Sequence, residues 1–354
     1  MRPVVVFVAG AVFLGAFVGA GTGVVLFGTE AGPTLSAPGT ETGQPQSTPG
    51  ADGAHTETAN FSALYDRTVD SVAQIRVGTA TGGSQGSGFL YRGRYVVTNE
   101  HVVEDATSVS VQFSDGIRRT GTVVGTDVYT DLAVIEVTAL PASAEPLPVA
   151  EQLPEEGQFV AAIGSPFGLQ GTITHGIVSG VNRSMDVADG FSIPDTVQTD
   201  APINPGNSGG PLVAMDGAVI GVNRARGGDN VGFAISAHVV DRVVPDLIAD
   251  GEFDHAFVGI RSVPVTPRVA EGAGLDRATG IAVVEVLEDG PADGVLQAGT
   301  VGTEAGFEGG DVIVAVDGTL VRTHEDLNRY LLLNASPEET VTFTVYRDGE
   351  RIDV

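Results

Sequence analysis

From residue 71 to residue 236 the apolar residues come in short runs with Gly, Asp or Pro at or near their bounds: SVAQIRV (71–77), YVVT (95–98), SVSVQF (108–113), GTVVG (121–125) and DLAVIEV (131–137), then QFVAAIG, TITHGIVSGV, AVIGV and VGFAIS. Runs this short give a helix too few turns to bury an apolar stripe, but they fill a strand. Many such strands, with turn signals between them, close on one another as a sandwich or a barrel. The 49 glycines supply the turns, and a hydrophobic content of 42% suffices for a core. One segment breaks the pattern. Val239, Val240, Val243, Val244, Leu247 and Ile248 recur at helical spacing between Ser236 and Asp250, with Gly251 as a stop and Pro245 expected to bend the helix.

Two further segments flank this β-rich body of residues 61–252. From 255 to 354 the texture changes: VGIRSVPV, IAVVEVL, DVIVAVDG and VTFTVYR read as strands and THEDLNRYLLLN as a helix capped by Thr323, which makes a second, α+β domain. At the other end, residues 4–28 carry no charge, a length that suffices to span a bilayer, so residues 1–28 are expected to be a transmembrane anchor, with a cleaved signal as the alternative. Arg2 before the span and Glu30 after it favour a cytoplasmic N-terminus and place the rest outside. Residues 29–60 have Leu35 as their one large aliphatic side chain and read as a disordered tether.

Composition removes several function classes. The net charge is 18 − 45 = −27, which disfavours nucleic acid as a partner. With no Cys there are no disulfides, thiolate metal sites or cysteine nucleophiles, and no metal or cofactor is expected. All 18 basic residues are Arg, and an acidic chain without Lys resembles the proteins of salt-loving microbes.

Hydrolysis without metal or thiol needs a hydroxyl nucleophile, a base near neutral pKa and donors for a developing oxyanion. GNSGGP (206–211) offers Ser208 with unobstructed access, and backbone N–H groups at Gly206 and Ser208; a serine among glycines is, taken alone, more often a turn. Of the six histidines, His101 stands at a strand end in YVVTNEHVV, while His55, His175, His238, His255 and His324 have no evident chemical setting. Asp105, Asp115, Asp127 and Asp131 compete as the acid that orients the imidazole. Asp131 opens an apolar run, where a partly buried carboxylate needs a hydrogen-bonding partner.

The order His101, Asp131, Ser208 is the chymotrypsin-like order. The words GSGFL (86–90), VVTNEHVV (96–103), TDLAVIEV (130–137), GSPFGL (164–169), TITHGIVSGVNRS (172–184), QTDAPINPGNSGGPL (198–212) and GFAIS (232–236) resemble, in sequence, the motifs of HtrA/Deg-type (DegP-like) serine proteases. The resemblance implies a mainly β fold, a chymotrypsin-like double β-barrel followed by an α+β PDZ domain at 255–354. It also implies Ser208 as nucleophile, His101 as base and then acid, and Asp131 fixing the imidazole tautomer. Glu100 departs from the family, which usually carries Asn before the histidine, and its charge would favour the imidazolium.

In the second domain FVGI (Phe257, Val258, Gly259, Ile260), GPAD and GDVIVAVDG resemble the PDZ module of that family, with FVGI as the loop that receives a peptide's terminal carboxylate. The segment GVLQAGTVGTEAGFEG after GPAD is longer than the family's version and is expected to reshape the groove. By the same resemblance Pro202, Ile203, Asn223, Arg224 and Ala225 line the substrate pocket, which has no carboxylate floor and so favours small aliphatic side chains. The expected protein is a membrane-tethered, extracytoplasmic, ATP-independent quality-control endopeptidase. Its partners would be unfolded polypeptides and peptide C-termini, and it would assemble as a homotrimer. The alternatives are a holding chaperone with little turnover and a PDZ-led signalling protease with one dedicated partner.

Overall fold

The computed structural model describes residues 59–78, 83–165, 171–186, 192–224, 230–302 and 306–354. The expected anchor at 1–28, the tether up to residue 58 and Ala225 lie outside these residues. Among the described residues no helix is long and apolar enough to cross a membrane.

The short runs become strands that close into two six-stranded antiparallel barrels, as the resemblance implies. The first consists of β1 (Val72–Arg76), β2 (Gln85–Arg92), β3 (Tyr95–Thr98), β4 (Ser108–Gln112), β5 (Arg118–Asp127) and β6 (Leu132–Val137). Its hydrogen-bonded order is β1-β2-β3-β6-β5-β4. The second consists of β7 (Phe159–Gly164), β8 (Thr172–Asp186), β9 (Ser192–Thr199), β10 (Pro211–Ala214), β11 (Val219–Arg224) and β12 (Gly232–Ser236), in the order β10-β11-β12-β9-β8-β7. The unbroken apolar character of LAVIEV follows from its position: β6 sits between β3 and β5, and its residues are buried on both faces apart from Glu136. Closure leaves no free edges, and so resolves the pairing hazard of a chain with this many strands.

Helices occupy the margins. α1 (Phe61–Thr68) starts at Asn60, whose side chain accepts from Ala63 N, and α2 is a single turn, Glu100–Val103, between β3 and β4. α3 (Ala237–Ala249) is capped by Ser236 and runs through Pro245 without a break. Its fully buried Val239, Val240, Val243, Val244 and Leu247 join one core with residues of both barrels, including Val134, Leu132, Val222 and Ile235. The helix therefore clamps the barrels together by apolar burial, each such side chain contributing about 1.5–3 kcal/mol.

The C-terminal sheet runs β13 (Ile260–Pro264), β14 (Ile281–Val286), β17 (Asp311–Val316), β19 (Phe343–Arg347), β20 (Glu350–Asp353), with β18 (Thr319–Leu320) paired to β17. α5 (His324–Asn334), capped by Thr323, packs Leu327 and Tyr330 with Ile281, Val283 and Ile313 on one face. α4 (Pro267–Gly272) covers the other face, where Val269 and Ala270 meet Ala282 and Val312. The long segment after GPAD divides between the two faces of the domain. It forms a separate hairpin, β15 (Thr300–Gly302) and β16 (Gly306–Glu308), and buries Phe307 against α4. A sheet has two faces, and the hairpin takes the one opposite α5; the segment's first apolar residues, Val295 and Leu296, are the ones that line the groove on the α5 side.

Candidate active site

Asp131 occupies the tight turn between β5 and β6, with φ 55°, a conformation Asp tolerates better than most side chains. The turn is held by Asp127, whose carboxylate accepts from Tyr129 N (3.3 Å), Thr130 N (3.2 Å) and Thr130 Oγ1 (2.5 Å), and which also pairs with His255 Nε2 at 3.0 Å. Asn99 Nδ2 and Glu100 N donate to the Asp131 carbonyl at 3.0 and 3.1 Å, which joins this turn to the start of α2. His101, the second residue of α2, is thereby brought to the carboxylate. Its backbone N donates to Oδ1 at 3.0 Å, and its Nδ1 lies 2.9 Å from Oδ1 and 2.8 Å from Oδ2. Asp131 is buried, which pushes its carboxyl upward, but the hydrogen bonds and charge of His101 and the charge of Arg224 outweigh burial and hold it below the usual carboxylate range. Two of the competing carboxylates are engaged elsewhere: Asp115 with Arg119, Asp127 with its own turn and His255.

The GNSGG loop comes from the other barrel. Ser208 is buried, 8% exposed, and its carbonyl accepts from Ser87 N at 2.8 Å, so the loop leans on β2. Ser87, which the sequence reading quotes only inside GSGFL, organises this contact. Its Oγ donates to the Gly206 carbonyl at 2.6 Å and accepts from Ser165 N at 2.8 Å, and its carbonyl accepts from Thr98 Oγ1 at 2.6 Å. Asn207, Gly209 and Gly210 spend their N–H groups on Asn204, Asn223 and Asn207 carbonyls. Among the described residues the N–H groups of Gly206 and Ser208 have no acceptor, which leaves the two expected oxyanion donors unspent there. Gly209 is obligatory: with φ 82°, a Cβ there would lie 2.2 Å from both the Ser87 carbonyl oxygen and Thr98 Oγ1. No hydrogen bond joins Ser208 to His101 in this structure.

The matched families agree with this geometry. Residues 86–222 match the model for a trypsin-like peptidase domain, and residues 256–354 the model for a PDZ domain. A probable periplasmic serine endoprotease, DegP-like, of Halomonas elongata is 39% identical over 279 residues, 77% of this chain and 55% of the relative. Its counterpart in Chlamydia trachomatis is 38% identical over 282 residues, 76% and 53%. The chain spans about half the length of these curated relatives. Among solved structures, the HtrA-type protease AlgW with tripeptide superposes with a TM-score of 0.69 at 31% identity, covering 83% of this chain and 95% of that one. The chain belongs to the HtrA-type serine proteases.

Within the HtrA-type frame two expected pocket residues make contacts that the sequence does not show. Arg224 turns its guanidinium onto Asp131 Oδ2, a charge-assisted hydrogen bond to a buried carboxylate. Asn223 is fully buried, with Nδ2 donating to the Pro211 carbonyl at 3.0 Å, so its side chain braces β10. Pro202 is exposed, and Ile203 is half-buried against the second barrel's core, next to Gly232. Glu100 is also half-buried; burial first and the Asp131 charge second hold its carboxyl above the ordinary range, with His101 opposing.

His55 lies outside the described residues, and three other histidines are structurally engaged: His175 stacks on Phe61 at 4.3 Å, His238 lies 3.3 Å from the Glu151 carbonyl, and His324 Nε2 lies 2.8 Å from Ser262 Oγ. Gly259 has φ 79°, its carbonyl accepts from Leu287 N, and Val258's from Ala292 N. Phe257 and Val258 line an apolar groove of about 750 Å³ together with Leu296, Leu331, Val341 and Phe343. Among the described residues no cluster of His, Asp and Glu could hold a metal ion.

Proposed function

We propose that this HtrA-type chain is an ATP-independent serine endopeptidase that cleaves exposed or misfolded polypeptides outside the cytoplasm. The observation that carries the reading is the buried Asp131 holding His101 Nδ1, across the barrel interface from a serine loop with two unspent N–H groups. Nδ1 faces the carboxylate as a donor, so Nε2 is the free base. Ser208 Oγ attacks the scissile carbonyl, passing its proton to His101 Nε2 as the tetrahedral intermediate forms. Gly206 N–H and Ser208 N–H receive the oxyanion. His101 then returns the proton to the leaving amine, and water repeats the sequence on the acyl-enzyme. The missing Ser208–His101 hydrogen bond fits a resting site, since such contacts tighten when substrate fills the cleft.

The finer features follow the same reading. Residues 61–252 form the protease unit and 255–354 the PDZ unit, whose FVGI loop and apolar groove accept hydrophobic peptide C-termini. Pro202 and Ile203 offer no counter-charge, which favours small aliphatic residues before the scissile bond. The relatives' description as periplasmic supports an extracytoplasmic catalytic unit, and the charge-free 4–28 segment supports a single membrane anchor. Half-exposed Phe159, edge-on to Phe61 at 6.3 Å, with Phe61 stacked on His175, offers an aromatic patch for self-association as a trimer. The Lys-free acidic composition fits a fold that works in concentrated salt. Casein digestion by residues 60–354 tests the reading: turnover lost in Ser208→Ala supports it, and casein held in solution without cleavage by the unaltered protein would favour the holding chaperone instead.

A further inference from the structure

Arg224 ends β11, and its Nε donates to Oδ2 of Asp131, 93 positions away in sequence, while its Nη1 rests 3.9 Å from Met185 Sδ. The same oxygen faces His101 Nδ1 at 2.8 Å. The carboxylate is therefore gripped from two directions, by an imidazole from the first barrel and a guanidinium from the second. We propose that Arg224 is a positioning residue of the proteolytic reaction, pinning the Asp131 carboxylate toward His101 Nδ1 and, as a fixed cation on that carboxylate, setting the basicity of His101. The proposal rests on the Ser208–His101–Asp131 reading above.

Three physical points carry it. A guanidinium has donors and no acceptor and stays charged at every working pH, so it holds Oδ2 as an acceptor whatever the protonation of His101. The imidazole must then present Nδ1–H to the carboxylate, which leaves Nε2 as the base. Second, Asp131 is 4% exposed, and a carboxylate that deeply buried is held in one orientation only when its oxygens are all engaged. Without Arg224, Oδ2 keeps a single partner. Third, charge: Asp131 alone favours the imidazolium, and a cation bound to it cancels part of that pull.

Among the described residues the other charged groups around the pair are Glu100, Glu104 and Asp105 on α2 and the turn after it, and the Asp127–His255 pair at the start of the Asp131 turn; Met185 and Ser208 are neutral. Arg224 is thus the one cation that touches Asp131 among the described residues, against several carboxylates on the His101 side. The downward displacement of the Asp131 carboxyl, to which Arg224 contributes, agrees.

The test is kcat/KM against pH on a peptide substrate for the unaltered protein and for Arg224→Gln, Arg224→Met and Arg224→Lys, with melting curves in parallel. Loss of the cation in Gln and Met moves the acid limb to higher pH, because nothing then opposes the pull of the carboxylate on the imidazolium. kcat falls while KM changes little, and Lys keeps the limb near its original place. An acid limb that stays put in Gln and Met while activity drops at every pH would overturn the proposal and leave Arg224 a packing residue. Should Gln and Met fail to melt cooperatively, Lys decides alone: a limb displaced to higher pH overturns the proposal, and a retained limb supports it. A protein without Ser208-dependent turnover would sink the triad reading separately. In that case the His101 imidazole titration by NMR, in Ser208→Ala with and without Arg224→Gln, still decides the role of Arg224 by whether the titration moves upward.

Discussion

Replacing Ser87 by Ala deletes one oxygen from a fully buried position and should damage both stability and rate. The hydroxyl donates to the Gly206 carbonyl at 2.6 Å and accepts from Ser165 N at 2.8 Å, so the substitution strands an acceptor and a donor at once. A buried backbone group left without a partner costs about 1–3 kcal/mol, and the hole left by one hydroxyl oxygen is too small to hold a replacement water. The expected loss is about 2–4 kcal/mol, which lowers the melting temperature by roughly 4–16 °C for a domain of this size. The rate effect has a separate origin. The Gly206 carbonyl is the anchor of the loop that presents the Gly206 and Ser208 N–H groups, and freeing it lets both donors drift. Outright removal of an oxyanion donor costs about 10²–10³ in kcat, so a loosened pair should cost about 10-fold to 100-fold. Urea unfolding and steady-state kinetics on one preparation read both. A stability change below about 0.5 kcal/mol together with an unaltered kcat would refute the assignment of Ser87 as the brace between the two barrels.

Three further outcomes are expected. Tyr330 donates to Asp317 at 2.6 Å, and that bond, with burial second, pushes its phenol up to about 12. The pair's stabilisation is therefore full below the unfolded value of about 10 and fades as pH rises through 12, and Tyr330→Phe should remove the late phase from the phenolate absorbance titration; a curve of unchanged shape would contradict it. With a net charge of −27, the melting temperature should climb from low salt into the molar range as the Debye length falls from about 30 Å at 0.01 M to about 3 Å at 1 M, and a flat response would show that carboxylate repulsion is immaterial. Phe159→Asp should shift the mass measured by light scattering toward the monomer without lowering the melting temperature of the isolated chain, since Phe159 is 50% exposed; an unchanged assembly would remove the aromatic patch from the interface.

The barrels were legible because strand period and turn chemistry are local properties: YVVT and LAVIEV carry their own bounds in Gly and Asp, and they pair as β3 and β6. His101, Asp131 and Ser208 were legible as ordered motifs. Their separate signals were weak, because a Ser among glycines or an Asp before an apolar run occurs in many turns. The partner of Arg224 was hidden for a different reason. The destination of a long flexible side chain is decided by whichever opposite charge lies within reach, and here that is a carboxylate from the other barrel. Ser87 was hidden likewise, since its value lies in contacts with Gly206 and Ser165, far away in sequence. For the segment after GPAD, length alone does not say which face of the sheet its hairpin will take. Phe307 settled that by burying itself on α4.

Reaction with a fluorophosphonate probe, followed by mass spectrometry of the digested protein, tests the catalytic assignment most directly, because the probe reports an activated hydroxyl independently of any substrate. A single adduct on Ser208, absent in Ser208→Ala and slowed by orders of magnitude in His101→Ala, is the expected result. An adduct on another residue, or peptide hydrolysis that persists in Ser208→Ala, would contradict it.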